Sequence, residues 1–96
     1  MAVVVNKLRF AEPVDRALFE RGVRDLAEPM RAVDGFQDFQ IVQTGECEVV
    51  LLIFADSPAA LDHLATEVGS PWMVEHVVPL LASPPERMIG DVIASV

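Results

Sequence analysis

The run Glu48-Val49-Val50-Leu51-Leu52-Ile53-Phe54-Ala55 decides the fold. Val49 to Phe54 are apolar without a break and rich in β-branched side chains, which reads as a strand. Successive side chains in a strand point to opposite faces, so both faces of this strand are apolar. Such a strand is normally covered on both sides. Upstream, Gly45 and its neighbours can turn a hairpin into a second strand over Phe36–Thr44. There Phe39 and Ile41 share one face, and Gln40 and Val42 share the other.

Further upstream, Asp34-Gly35 marks a turn, preceded by a helix that runs from after Glu12-Pro13 to about Val33. Leu18, Phe19, Val23, Leu26, Met30 and Val33 make its apolar stripe. Pro29 is expected to kink this helix or end its regular part. Ala2–Phe10 is a strand with Val4, Asn6, Leu8 and Phe10 on one face and Val3, Val5, Lys7 and Arg9 on the other.

Downstream of the central run, Ser57-Pro58 supplies a capping hydroxyl and a first-turn proline. Leu61, Leu64, Ala65 and Val68 follow at helical spacing, and Gly69 is expected to stop the helix. Ser70-Pro71 repeats the start signal for a shorter helix, ended by Pro79 and Ser83-Pro84-Pro85. Arg87–Val96 reads as a fourth strand.

The order is β-α-β-β-α-β, a ferredoxin-like α+β fold with an antiparallel sheet, over a single domain spanning 1–96. Two helices cover one face of such a sheet. No residues remain to cover the other, so a homodimer with sheets face to face is expected. The hydrophobic share of 52% in 96 residues agrees with such buried contact between copies.

The charge excludes several partners. A net charge of -8, with seven basic residues scattered among acids, argues against nucleic acid and anionic membranes. Glu20, Arg24 and Glu28 are spaced for pairing on a solvated helix face. No apolar run approaches the ~20 residues that span a bilayer. Cys47 is alone, so no intrachain disulfide forms and a reducing cytoplasm is expected, with the thiol a small buried side chain in a strand. No metal-ligand spacing, Ser-His-Asp set, P-loop or dinucleotide fingerprint occurs.

The segment Gly69-Ser70-Pro71-Trp72-Met73-Val74-Glu75-His76-Val77-Val78-Pro79-Leu80-Leu81 gathers the only Trp and one of the two His. Trp72 and His76 lie four apart and share a helical face. A ring, a thioether and a titratable nitrogen suit a ligand pocket, and they equally suit packed core. His63 falls off the apolar stripe and reads as exposed. Asn6 stands out on the helix-facing side of the first strand, because strand interiors disfavour Asn unless something uses it. Lys7 and Arg9 lie on the opposite face, where Asp91 is a candidate partner, and Asp38 and Glu48 read as solvated.

With that element order and the 69–81 run, the chain resembles the dimeric α/β-barrel superfamily, and more narrowly the antibiotic biosynthesis monooxygenase-like group. The resemblance implies a pocket between sheet and helices, filled by a small hydrophobic or aromatic ligand. It also implies one of several activities. One is cofactor-independent monooxygenation of an activated aromatic such as a quinol or anthrone. There His76 would handle the proton, Asn6 would be the amide donor and Trp72 a stacking wall. Met73, Phe10 and Phe19 are core residues that could line the same cavity. Another is haem binding or degradation. Asn6 and His76 match the Asn and the haem-ligating His of that branch, whereas Thr66 stands near the position of its Trp. The polyketide oxygenases draw on differing sets that include Tyr, and this chain has none. The third is a non-catalytic dimer that binds a hydrophobic ligand.

Overall fold

The computed structural model describes residues 1–96. Four strands and the helices follow the expected order: β1 (Ala2–Arg9), α1 (Arg16–Arg31), β2 (Phe36–Gly45), β3 (Glu48–Ala55), α2 (Pro58–Leu64), α3 (Ser70–His76) and β4 (Glu86–Asp91). The sheet order is β2-β3-β1-β4 and every pairing is antiparallel. The fold is therefore the ferredoxin-like α+β arrangement that the sequence indicates.

Local chemistry sets the element ends. Asp15 caps α1, its Oδ1 accepting from Ala17 N–H at 3.1 Å and Leu18 N–H at 3.4 Å. Helix α1 begins at Arg16, passes Pro29 and ends at Arg31, short of Val33. Pro29 lies in the last turn, where the lost amide donor removes one hydrogen bond without ending the helix. Gly35 turns the chain into β2 with φ at +93°, a conformation that favours glycine. Glu46 and Cys47 form the turn of the β2–β3 hairpin.

Gly69 does not stop the helical run as expected. It keeps helical dihedrals, and a wide turn over Ala65–Gly69 joins α2 to α3, with Ser70 N–H donating to the carbonyl of Ala65, five residues back. Pro71 has no amide hydrogen and its ring would press on a carbonyl four residues earlier. Widening the preceding turn by one residue lets the chain continue through it. β4 also differs from expectation. It ends at Asp91 and residues 92–96 form no strand. Its pairing with β1 ends at Asp91 opposite Ala2, beyond which only Val92 N–H donates to the Met1 carbonyl, at 2.9 Å.

The core lies on one side of the sheet. Leu8, Val49, Leu64 and Val77 are fully buried, with Met30 and Leu61 beside them. On the other side, Val5, Val50, Leu52 and Phe54 are only half-buried, and Val42 and Met88 are exposed. Cys47 proves to be half-exposed in a turn, not buried in a strand.

Glu48 corrects two further expectations. It is not simply solvated, and it, rather than Asp91, is the partner of Lys7 and Arg9. Its carboxylate stands 3.7 Å from Lys7 Nζ and 3.5 Å from Arg9 Nε, and it accepts from Thr44 Oγ1 at 2.8 Å. Antiparallel register explains the choice, because Arg9 faces Glu48 directly. The Thr44 hydroxyl first, and the two cations after it, hold the Glu48 carboxyl below its ordinary value of 4.5. A depressed carboxyl stabilises the fold above the unfolded value, and that contribution fades as pH falls through the folded one. Glu48→Gln is therefore expected to lower stability at neutral pH and to flatten the acid limb below about 4.5, read by urea unfolding across pH. An acid limb identical to that of the native chain would contradict this.

Candidate functional site

A cavity of about 340 Å³ lies between the sheet and the helices. Val4 and Asn6 of β1 with Phe39, Leu51 and Ile53 form its floor, and Leu26, Met30 and Leu61 form its roof. Trp72 and Met73 wall it, and the exposed Val74, Val78, Pro85 and Arg87 stand at its mouth. The wide turn is what brings this wall into place. Ala65, Gly69 and Ser70 of that turn line the cavity beside Trp72 and Met73.

Asn6 is the singular polar group. Its flanks on this face, Val4 and Leu8, are core residues, and its Oδ1 is buried with no hydrogen-bond partner. No other buried side-chain polar atom is left unmatched. An unmet buried acceptor costs about 1–3 kcal/mol, so it calls for a partner, whether water or ligand. The sequence casts Asn6 as a donor. The unmatched buried atom is the acceptor end of that amide.

The other expected residues divide into two groups. Trp72 and Met73 line the cavity with Asn6. Phe10, Phe19 and His76 do not. The phenylalanines support the wall from behind: Phe19 meets Trp72 edge-on at 6.3 Å between ring centroids, and Phe10 meets Phe19 at 5.7 Å. His76 sits beside the indole, 5.7 Å away between centroids and tilted by 41°. Its side chain is 42% exposed and its Nε2 lies 3.7 Å from Glu75. The four-residue spacing did put both rings on one helical face, but the cavity meets only the Trp72 end of it. His63 is exposed, as expected.

Arg87 is the residue that sequence reasoning missed. It pairs opposite Asn6 in the β1–β4 register, so both side chains leave the same face of the sheet. Only that register reveals the pairing, and no local motif announces it. Arg87 gives the mouth a permanent positive charge.

The lining does not fit haem. It contains no imidazole or thiolate, and its only soft donors are the thioethers of Met30 and Met73. A haemin titration is expected to give no saturable Soret shift, with His76→Ala indistinguishable from the native chain. A stoichiometric shift lost in that variant would overturn this. No three His, Cys, Asp or Glu side chains group as a metal site, and no helix is long and apolar enough to cross a membrane.

A wider groove of about 490 Å³ runs between the start of α1 and β2, past Val14, Arg16, Val23 and Gln43. Arg16 Nε there already donates to Gln43 Oε1 at 2.6 Å. It holds no unmatched buried polar atom, and so is the weaker candidate.

Comparison with known proteins agrees with this fold. The family model described as antibiotic biosynthesis monooxygenase matches residues 1–69. A Nitrosomonas europaea protein of unknown function superposes with a TM-score of 0.78 at 14% identity, over 99% of this chain and 91% of that one. A point mutant of SnoaB from Streptomyces nogalater, described as a cofactor-independent oxygenase, gives 0.75 at 15% identity, over 99% and 95%. The ActVA-Orf6 monooxygenase of Streptomyces coelicolor, solved with nanaomycin D, gives 0.73 at 20% identity, over 99% and 89%. These likenesses are of fold. No curated protein matches the chain.

Proposed function

Since the chain belongs to the antibiotic biosynthesis monooxygenase family, we propose that it is a cofactor-independent monooxygenase. Its substrate would be a small activated aromatic, a quinol or anthrone, held in the cavity around Asn6. The observation that carries this reading is the unmatched Asn6 Oδ1 at a mostly apolar cavity with an indole wall. The neighbours described as a cofactor-independent oxygenase and a monooxygenase support it by analogy of fold.

In this reading the substrate carries much of its own reactivity. An acidic C–H loses a proton and the carbanion adds dioxygen. Loss of water from the resulting peroxide then leaves a carbonyl. For an anthrone one CH₂ becomes C=O, one oxygen atom is retained and the other leaves as water. The protein supplies orientation and charge stabilisation. Asn6 accepts from a ring hydroxyl, Trp72 stacks on the ring plane, Met73 fills the side, and Arg87 balances the anion from the mouth. No carboxylate or imidazole lines the cavity, so the proton leaves to water. His76 then acts by positioning the indole rather than as the base. Residues 1–96 work as one domain, a reading supported by neighbours that cover 99% of the chain. A cytoplasmic setting keeps Cys47 a thiol.

The test is oxygen uptake by the purified protein, without added cofactor or metal, across a panel of hydroxyanthrones and naphthoquinols. Stoichiometric uptake with quinone formation is expected for at least one class. No uptake above the uncatalysed rate across the panel would overturn the reading, and binding without uptake would favour a non-catalytic ligand carrier.

Two copies pair, in this proposal, through the uncovered sheet face. Met88, Val5 and Leu52 face one another across β4, β1 and β3, with Phe54 beside them. This apolar row is what a partner sheet would bury. Leu52→Glu places a charge in its middle and is expected to yield a folded monomer by sedimentation. An unchanged dimer would move the interface elsewhere.

A further inference from the structure

Helix interiors disfavour glycine by about 1 kcal/mol relative to alanine, so a buried one has a packing or functional reason. Gly22 lies in the middle of α1 on its buried face. A Cβ there would stand 2.3 Å from Trp72 Cζ2, 2.9 Å from Cη2 and 3.0 Å from Cε2. Atoms cannot share such distances, so a Cβ there would force the indole or the helix to shift, and neither shift is cheap. The missing side chain is the space in which the indole edge sits.

Other contacts fix which way the ring would move if that space were filled. Phe19 holds it edge-on at 6.3 Å and the His76 ring lies at 5.7 Å. The side left open is the cavity, which Trp72 itself lines together with Leu26 and Met30. Leu26 and Met30 lie one and two turns beyond Gly22 on the same helix.

We propose that Gly22 is the specificity-determining residue of this cavity: it lets the Trp72 indole sit back against α1, and so sets how large a planar ligand the cavity admits. Gly22 touches no ligand and acts through Trp72, as a positioning residue. The inference rests on the reading above, that the cavity takes an aromatic ligand. Any side chain at position 22 pushes the wall inward and shortens the ligand that fits.

The test compares a three-ring probe, a sulfonated anthraquinone, with a two-ring probe, a sulfonated naphthoquinone, by calorimetry. In Gly22→Ala the three-ring probe is expected to weaken by about tenfold or more and the two-ring probe by less than about threefold, the range that a methylene-sized change in an apolar pocket produces. Gly22→Ala combined with Trp72→Phe gives the space back and is expected to restore three-ring binding. Trp72 is the sole tryptophan, so its emission and near-ultraviolet dichroism report the displaced ring without any ligand. Equal weakening of both probes, no rescue by the double variant, or an unchanged indole signal in Gly22→Ala would each overturn the inference. Native protein that binds neither probe would instead bring down the aromatic-ligand reading, and this inference with it.

Discussion

Replacing Asn6 by leucine is expected to make the protein more stable and to abolish its turnover. The native side chain has the branching of leucine in a smaller volume and lies between the core residues Val4 and Leu8 along β1, with Oδ1 buried and unmatched. A buried polar group without a partner costs about 1–3 kcal/mol, and an apolar group of similar shape removes that cost. A gain of about 1 kcal/mol corresponds to a Tm rise of about 4–8 °C for a domain of this size. The same substitution deletes the one buried group that can hold a ligand hydroxyl. Loss of the contact that orients the ligand is a positioning loss, and a misplacement of about 1 Å costs about 10²-fold in rate. Opposite signs in the two readouts are the signature of a functional residue that the fold tolerates at a cost. Calorimetric melting with oxygen-uptake kinetics checks both. A variant that melts earlier and turns over normally would make Asn6 a structural amide.

Trp72→Ala is expected to have the largest effect on stability. The indole is 9% exposed and sits in the notch over Gly22, against Phe19 and beside His76. Removing a buried Trp costs about 3–5 kcal/mol in transfer and cavity terms. Native domains hold only about 5–15 kcal/mol in total, so this variant is expected to be partly unfolded at physiological temperature. Trp72→Phe keeps a ring over the notch and is expected to lose far less, while widening the cavity. Urea unfolding of the two variants separates the cases. A cost below about 1 kcal/mol for Trp72→Ala would mean that the indole is not part of the packed wall.

The legible part of this molecule is its period. Val49 to Phe54 marked β3 correctly, because strand alternation and β-branched composition are local. The face of β1 bearing Val4, Asn6, Leu8 and Phe10 was legible for the same reason, and it carried Asn6 to the right side of the sheet. Three things were hidden. Arg87 reaches the cavity through a cross-strand register that no single strand specifies. The turn at Ala65–Gly69 arises from Pro71 acting on the residues before it, and local propensity read Gly69 as a stop. Gly22 has no side chain to contribute to an apolar stripe, so its contact with Trp72 is visible only once α1 and α3 are packed. His76 shows the limit of helical spacing. It was placed beside Trp72 correctly, yet spacing does not tell which end of a shared face a cavity meets.

The central claim is that the cavity around Asn6 is where an aromatic ligand sits. A crystal structure of the protein soaked with a hydroxyanthraquinone, the product type of the proposed reaction, tests it directly. The ligand is expected between Trp72 and the sheet, with a ring hydroxyl about 2.7 Å from Asn6 Oδ1 and a carbonyl turned toward Arg87. A ligand seated in the groove between α1 and β2, with Asn6 Oδ1 still unmatched, would contradict it.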